Sequence, residues 1–217
     1  MILSLDPIMR YFDFHTHLPI RPHLPEVDCC YNVIVGRDLF PDDRSCRYSC
    51  GIHPWYVEEW ANPEALLREL CANHPVCAIG EAGLDKCVAV PWDRQLSLFR
   101  MQARLAESLQ KPLIIHCVKA WSELLGLKRE VSPTVPWLVH GFRGNGTLAQ
   151  QLLSHGLRLS FGPRFQPEAV RAAAPYGLGV ETDDSGADIR SVYAALAAIL
   201  EVTLERLPIL CLPGIGL

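Results

Sequence analysis

Eight short apolar segments, spaced fairly evenly along the 217 residues, constrain the fold of this chain more than any other feature of its sequence. Each segment is rich in Val, Ile, Leu or aromatic residues, and most of them end at a polar residue or a glycine. Short apolar runs of this composition predict β-strands. The eight segments span residues 11–15, 31–36, 47–53, 76–83, 112–117, 136–142, 157–162 and 178–183.

Segments with apolar residues at helical spacing separate the later strands. The segment NPEALLRELCAN (62–73) begins with an Asn cap and a proline in its first turn. Similar patterns predict helices over residues 91–110, 119–130, 147–155, 166–174 and 188–201. Alternating strands and helices indicate parallel strands joined by right-handed crossovers, and eight such strands predict a TIM-type (β/α)8 barrel. The alternative is a doubly wound open sheet, although the chain has no GxGxxG turn to support a dinucleotide site.

The first two connections depart from this pattern. Residues 18–30 contain three prolines and no helical period, and residues 37–46 are similarly short and polar. We therefore expect the first crossover helices to be reduced or missing. Because no linker, repeat or low-complexity region divides the chain, we expect one domain over residues 1–217.

Composition narrows the functional classes. A formal net charge of −4 provides no global basic field for nucleic acid, so a phosphate-bearing substrate must be attracted by metal ions or by a few Arg and Lys residues. No segment is apolar for long enough to span a bilayer, and MILSLDPIM is a poor signal peptide because it contains Asp6 and Pro7. The nine cysteines include no CxxC pair. This usage predicts a reducing cytoplasm and no structural disulfides.

Histidines or carboxylates lie at the ends of six of the eight predicted strands. Residues two apart on a strand share a face, so His15 and His17 should point the same way, with Phe14 and Thr16 on the other side. The other strand-end residues are His53, Glu81, Asp85, His116, His140 and Asp183. In a barrel, the carboxyl ends of all strands converge on one mouth.

This set of side chains predicts a metal centre. Imidazoles with carboxylates suit Zn²⁺ or Mn²⁺, and carboxylates with water suit Mg²⁺. Even four of these histidines with two of the carboxylates exceed the needs of one four-coordinate zinc ion. Two divalent ions that share a bridging carboxylate are the natural solution.

The motifs FDFHTH, GIHPW, IGEAGLD, PLIIHC, HGFRGN, LSFG and VETD occur in an order that resembles the TatD-family metal-dependent hydrolases, a branch of the amidohydrolase-like barrels. The resemblance extends from about residue 11 to residue 200 and is to compact bacterial variants. It implies a TIM-type barrel that hydrolyses phosphodiester bonds, and several members are DNases that trim DNA from an end. By position, it implies that the metal ligands are His15, His17, Glu81, His116, His140 and Asp183, and that His53 lines the pocket without coordinating a metal.

Several features depart from the family pattern. The family's first helix is missing, DDSGAD leads straight into a helix after the ETD motif, and the tail RLPILCLPGIGL lacks the usual C-terminal helix. Many amidohydrolases carry a modified lysine where Glu81 stands, whereas Lys111 lies at the wrong end of strand five. This difference favours the TatD branch over the amidase branch.

The predicted activity is hydrolysis of DNA by metal-activated water in an exonuclease-like manner, with two divalent ions (Mg, Mn or Zn) as cofactors. Glu81 bridges the ions, Asp183 accepts the proton of the attacking water, and His53 is a candidate to protonate the leaving oxygen. Arg143 is predicted to bind a phosphate and Trp55 to stack on a base, with a surface ion pair and simple packing as the respective alternatives.

Two rival functions stay open: an amidohydrolase acting on a small amide or ester, and a metal-retaining barrel without turnover. We expect a DNA or small phosphodiester substrate, no membrane partner and a monomer. Asp85 is expected to support a ligand or to form a turn. Glu181 and Asp184 should face away from the site because they flank Asp183, and His23, His74 and His155 are expected to be structural.

Overall fold

Eight parallel strands, each paired with the next along the chain, form the frame of the structure. The computed structural model describes residues 10–18, 24–41, 47–57 and 60–207. Predictions about residues 1–9, His23 and the tail beyond residue 207 therefore lie outside the described residues. The strands are β1 (Tyr11–Thr16), β2 (Val27–Ile34), β3 (Arg47–Gly51), β4 (Val76–Asp85), β5 (Leu113–Val118), β6 (Trp137–Val139), β7 (Arg158–Phe161) and β8 (Leu178–Val180).

Six α-helices alternate with the later strands, and each begins and ends within two residues of its prediction. Capping explains this agreement at several ends: the side chain of Asn62 accepts a hydrogen bond from the backbone N–H of Ala65, as an N-cap should. The helices are α1 (Pro63–Asn73), α2 (Trp92–Leu109), α3 (Trp121–Val131), α4 (Gly146–Ser154), α5 (Pro167–Ala173) and α6 (Ile189–Leu200). Short 3₁₀ helices span Pro54–Tyr56, Ala174–Tyr176 and Leu204–Arg206. None of the described helices combines the length and apolar character that crossing a bilayer requires.

The strand order confirms the predicted (β/α)8 barrel. The described parts of the first two connections, residues 17–18, 24–26 and 35–41, contain no helix, in agreement with the predicted reduction of these crossovers. β2 begins four residues earlier than predicted, because Val27 already pairs with Tyr11 of β1.

The barrel closes between β1 and β8 by a narrow seam. The two strands share one isolated parallel bridge, between Thr16 and Asp183. There, the Asp183 N–H donates to the carbonyl of His15 (2.9 Å) and the His17 N–H donates to the carbonyl of Asp183 (3.2 Å). Deeper in the barrel, the Tyr193 hydroxyl of α6 contacts both the N–H and the carbonyl of Phe12, so it satisfies backbone groups that no strand partner reaches.

Apolar side chains fill both layers of the barrel. The larger cluster packs the outer faces of the strands against the helices and includes Trp137, Phe99 and Leu67. Two small clusters lie on the opposite faces of the strands and contain Phe12, Phe14, Cys30, Cys77, Ala78, Ile114 and Leu138. Because this packing fills the interior below the mouth, the polar strand ends are left at the mouth, where barrels bind their ligands.

Candidate metal centre

A register shift in β1 directs its two histidines into the mouth. The pairing of β1 with β2 is irregular between Asp13 and Thr16. The prediction that Phe14 faces away from His15 is wrong, because Phe14 packs on Leu138 in the barrel interior. His15 is also on that side, since its ring lies 4.3 Å from the ring of His140, two residues beyond Leu138.

The carboxylate of Glu81 is buried at the centre of five imidazoles. Its Oε1 atom lies 2.7 Å from Nε2 of His140, 2.9 Å from Nδ1 of His116 and 3.1 Å from Nε2 of His53. We call His116 and His140 the ladder half of the cluster, because β4, β5 and β6, which carry Glu81 and these two residues, pair side by side.

The other oxygen of Glu81 faces the barrel seam. Its Oε2 atom lies 3.3 Å from Nε2 of His15 and 3.3 Å from Nε2 of His17. Asp183 Oδ1 lies 3.9 Å and 3.7 Å from the same two nitrogens. We call His15, His17 and Asp183 the seam half. One ligand atom from each of these three residues lies within 4.8 Å of the others, a spacing that could hold a metal ion.

His15 provides an observation that fits a bound cation. The residue is fully buried, and within the described part of the chain neither of its ring nitrogens has a hydrogen-bond partner. Nε2 is close to Glu81, but the direction is not that of a hydrogen bond. Leaving a buried polar group unsatisfied costs roughly 1–3 kcal/mol, which a coordinated metal would offset. Burial, followed by repulsion from His140, lowers the pKa of His15 and favours the neutral ring that binds metals.

Carboxylates hold the second nitrogens of the ladder half. Nδ1 of His140 lies 3.3 Å from Oε1 of Glu181, and the other oxygen of Glu181, Oε2, accepts a hydrogen bond from the Ser160 hydroxyl. Nε2 of His116 lies 3.1 Å from Oδ2 of Asp85. Outer carboxylates of this kind orient metal-binding histidines in many proteins. Asp85 also accepts the N–H of Cys87, so it supports a histidine and forms a turn.

The prediction that Glu181 faces away from the site is wrong. Its side chain is buried against His140. Residues two apart on a strand share a face, so alternation along the segment places Glu181 on the same side as Asp183, although β8 itself ends at Val180 and Asp183 adopts a left-handed backbone conformation (φ 55°). The sequence carried a signal for this position. Gly179, Glu181 and Asp183 occupy alternate positions of the segment, so they share one face if the strand is taken to extend to Asp183. Asp184 is exposed to solvent, but it lines the cleft above the cluster instead of facing away from it.

The charges of the cluster are strongly coupled. Burial raises the pKa of Glu81, but the charge of His140 and hydrogen bonds with His116 and His140 outweigh it and hold that pKa well below its usual value. Burial lowers the pKa of His140, but Glu81 and Glu181 outweigh it and raise that pKa well above its usual value. The cluster therefore keeps an ionised carboxylate among imidazoles, which is the donor set of a zinc- or manganese-type site.

His53 differs from the other imidazoles of the cluster. Its Nδ1 accepts a hydrogen bond from the backbone N–H of Trp55 (3.1 Å), so in the neutral ring Nε2 carries the hydrogen and donates to Glu81. Burial lowers the pKa of His53, although Glu81 opposes this shift, and the ring is neutral. Because Nε2 of His53 carries a hydrogen and Nδ1 already accepts one, this arrangement suits a residue that lines the pocket better than one that binds a metal. That role stays a prediction.

A clasp that sequence reasoning missed joins β1 to the segment after β8. The buried carboxylate of Asp13 accepts the Thr182 N–H (3.0 Å) and the Thr182 hydroxyl (2.6 Å). Burial raises the pKa of Asp13 to about 7, although these hydrogen bonds oppose it. Because Thr182 precedes Asp183, the clasp sets the position of that carboxylate beside His15. The available signal was an acid two residues before the first histidine.

Gly83 allows the close approach of β4 and β5 at the ladder half. It pairs with His116 across the two strands. A Cβ atom at this position would overlap the carbonyl oxygen of His116. Glycine at residue 83 is therefore a packing requirement for the relative placement of Glu81 and His116.

A cleft of about 810 Å³ opens above the cluster and contains the predicted substrate-binding residues. Trp55 is 49% exposed there, and its indole N–H donates to Asp85 (2.7 Å). Arg143 is exposed and lines the cleft. Its Nη2 atom lies 4.0 Å from Oδ2 of Asp183, which makes only a weak ion pair. The structure thus brings together His15, His17, His53, Glu81, His116, His140 and Asp183 at the mouth, with Trp55 and Arg143 above them.

The described histidines outside the mouth occupy structural positions. His74 stacks on Phe40, with ring centroids 3.7 Å apart. His155 follows α4, and its Nδ1 contacts the carbonyl of Gln151. Neither residue lines the cleft above Glu81.

The family model for TatD-related DNases matches residues 40–206. The chain belongs to the TatD-related DNase family. This confirms the resemblance found in the motifs. The matched range includes Glu81, His116, His140 and Asp183, whereas His15 and His17 precede it.

Several curated relatives match parts of the chain. The 3'-5' ssDNA/RNA exonuclease TatD of Rahnella is 37% identical over 131 residues, which cover 56% of this chain and 47% of the relative. An uncharacterized metal-dependent hydrolase of Haemophilus influenzae is 28% identical over 188 residues (71% and 70%). The human 3'-5' RNA nuclease TATDN2 is 31% identical over 140 residues (62% and 18%). The matches to the TatD exonucleases of Erwinia billingiae and Rahnella span only about half of those relatives (45% and 47%).

Solved structures support the fold. YJJV, a TatD homolog from Escherichia coli K12, superposes with a TM-score of 0.76 at 18% identity and covers 93% of this chain and 94% of its own. A TatD-family hydrolase from Entamoeba histolytica gives a TM-score of 0.74 at 17% identity, covering 93% and 95%. At these identities the likeness concerns the barrel alone.

Proposed function

We propose that this protein is a metal-dependent phosphodiesterase that removes nucleotides from the end of a nucleic acid strand. The observation that carries the proposal is the orientation of Glu81, whose two oxygens face separate sets of histidines. The family membership supports it, as do the relatives named as 3'-5' exonucleases and RNA nucleases.

The cluster has ligands for two divalent ions. The seam half offers His15, His17 and Asp183 with Oε2 of Glu81, and the ladder half offers His116 and His140 with Oε1. The unsatisfied ring of His15 and the ionised Glu81 support this assignment. When bound, such ions would activate a water molecule and neutralise charge on the phosphoryl oxygens.

Asp183 is proposed as the acceptor of the water proton. Its side chain is 18% exposed, so it borders both the cluster and the cleft and can pass a proton to solvent. Its backbone is fixed by the seam hydrogen bonds, which keeps the carboxylate beside His17. His53 presents its Nε2–H within the cluster and is proposed to donate a hydrogen bond to the leaving oxygen, while water supplies the proton because the ring itself is neutral.

Trp55 and Arg143 are proposed to hold the substrate. The hydrogen bond to Asp85 fixes the indole, and half of the side chain is open to the cleft, which suits stacking on an unpaired base. The guanidinium of Arg143 can turn from Asp183 toward a phosphate oxygen because it is exposed and its ion pair is long.

We also propose a monomeric, single-domain protein of a reducing compartment such as the cytoplasm. All described strands belong to one sheet. The presence of free thiols in place of disulfides supports a reducing compartment. Free thiols are present at Cys30, Cys50, Cys71, Cys77, Cys87 and Cys117.

The direct test measures metal content and activity together. Purified protein is stripped with chelator, reloaded with Mg²⁺, Mn²⁺ or Zn²⁺, and assayed on end-labelled single-stranded DNA and RNA, with a panel of small esters and amides in parallel. We expect activity to vanish on stripping, to return with at least one ion, and to favour nucleic acid. Activity that survives exhaustive stripping, or turnover confined to amides, would overturn the proposal.

A further inference from the structure

Three exposed basic residues stand on consecutive loops at the mouth. Lys119 follows β5, Arg143 follows β6 and Arg164 follows β7. All three line the cleft above Glu81. We call Lys119, Arg143 and Arg164 the basic arc. Only Arg143 had a predicted role from its motif.

The basic arc is poorly neutralised by the protein itself. Some exposed basic side chains elsewhere make close ion pairs, such as Arg68 with Glu64 (2.8 Å) and Arg100 with Glu130 (2.8 Å), whereas others among the described residues, such as Arg129, make none and lie away from the cleft. Among the residues that the structure describes, Lys119 and Arg164 have no carboxylate within ion-pair distance, and Arg143 reaches Asp183 only at 4.0 Å. The exposed Asp184 also lines the cleft without pairing with them.

The strand order spreads the basic arc around the mouth, because β5, β6 and β7 are two, three and four positions from β3 in the ring. Trp55 and Tyr56 follow β3, which is four positions from β7 in a ring of eight strands. Arg164, after β7, is therefore diametrically opposite Trp55, with the Glu81 cluster between them. A strand with a base on Trp55 and a phosphate over the cluster would bring its next phosphates toward the basic arc.

We propose that Lys119 and Arg164, with Arg143, bind the phosphates of the nucleic acid strand beyond the scissile bond and so favour oligonucleotides over simple diesters. This inference rests on the proposed function and specifies its substrate class. A protein with net charge −4 repels a polyanion overall, so the attraction must come from local cations; metal ions would act on the scissile phosphate, and unpaired basic side chains are needed for the phosphates beyond it.

The experiment uses the metal-loaded full-length protein and the substitutions Lys119→Gln and Arg164→Gln. For each variant, kcat/KM is measured on a labelled single-stranded 12-mer (~12 nucleotides, within the site sizes of single-strand binders) and on bis(p-nitrophenyl) phosphate. We expect the ratio of oligonucleotide to small-diester kcat/KM to fall about tenfold per variant, mainly through KM. The salt dependence of oligonucleotide kcat/KM should become shallower by about 0.7 log units per decade for each charge removed.

Arg129→Gln is the matched control. Arg129 is an exposed residue in the last turn of α3, the end of that helix that leads into the start of β6, so it lies at the end of the barrel opposite the mouth. Its substitution removes the same charge and should leave both the ratio and the salt slope unchanged.

The outcomes separate the basic arc from the proposed function. If the wild type hydrolyses both substrates but Lys119→Gln and Arg164→Gln leave the ratio unchanged, or if Arg129→Gln lowers it equally, the role of the basic arc is refuted while the phosphodiesterase stands. If the metal-loaded wild type hydrolyses neither substrate, the phosphodiesterase itself is refuted and the inference with it.

Discussion

The two halves of the histidine cluster are held by different parts of the barrel. In the ladder half, strand pairing fixes the backbone of β4, β5 and β6 on both sides of a register shift between Ile79 and Ala82, and the carboxylates of Asp85 and Glu181 hold the outer nitrogens of His116 and His140. In the seam half, β1 and β8 share a single bridge. There, a side-chain clasp between Asp13 and Thr182 takes the place of a ladder.

This difference shows how one carboxylate, that of Glu81, can contribute to two candidate metal sites whose other ligands are held in place by different means. The ladder half inherits its geometry from the sheet, so its outer carboxylates refine the orientation of rings that the backbone already places. The seam half depends on hydrogen bonds between a few side chains, so single substitutions should displace it. Glu81 lies between the halves and belongs to both.

Glu81→Gln should have the largest effect because it removes the charge that the two halves share. The substitution keeps the volume but leaves five imidazoles around a neutral amide. We expect loss of metal from both halves and a fall in turnover of about a thousandfold, the upper range for loss of one preorganised electrostatic group. Metal analysis of the purified variant and a nuclease assay measure both. Full activity in Glu81→Gln would show that Glu81 is not a ligand.

Asp183→Asn should break the seam half while the fold persists. Asparagine can keep the backbone hydrogen bonds of residue 183 but cannot accept the water proton, so we expect turnover to fall about a hundredfold or more. Circular dichroism checks the fold and single-turnover kinetics measure the loss. His15→Ala combined with His17→Ala should instead empty that metal position. Wild-type turnover in Asp183→Asn would refute the base role and leave the ligand role standing.

Asp13→Ala tests whether the clasp supports the seam half alone. Loss of the two hydrogen bonds to Thr182 should lower the free energy of unfolding by about 1–3 kcal/mol. Metal affinity of the seam half should fall about 10- to 100-fold, as for other supporting residues of metal sites. Denaturant unfolding and metal titration measure these effects. Asp28→Ala, at an exposed acid of β2, is the control and should change neither; equal loss of both metals in Asp13→Ala would contradict the division into halves.

The fold was predictable where local chemistry decides it. Helix ends carry caps such as Asn62, and strand-end residues such as Glu81 and His116 follow apolar runs that can be counted directly. The placement of Phe14 could not be predicted, because a register shift depends on pairing with β2 rather than on β1 itself.

The roles of the carboxylates of Asp13 and Glu181 could not be predicted from the sequence for a related reason. Acids are rarely buried unless paired, so a sequence rule assigns them to the surface. The partner of Asp13 is Thr182, 169 residues away, and that of Glu181 is His140, 41 residues away. Only the closed barrel brings these pairs together.

Glu181→Gln should have the smallest effect of these substitutions. It tests the ladder half in the way that Asp13→Ala tests the seam half. A glutamine can still accept a hydrogen bond from His140 through its amide oxygen, and the ladder backbone keeps that ring near Glu81. What it loses is the negative charge that raises the pKa of His140 and makes the ring a stronger ligand. We therefore expect about a tenfold loss of metal affinity in the ladder half, the low end for such residues, with the seam half unchanged.

Metal titrations of Glu181→Gln and Asp13→Ala should then give opposite patterns of site loss. If Glu181→Gln instead empties the seam half or both halves equally, the ladder does not act independently of the seam, and the cluster must be treated as one cooperative unit.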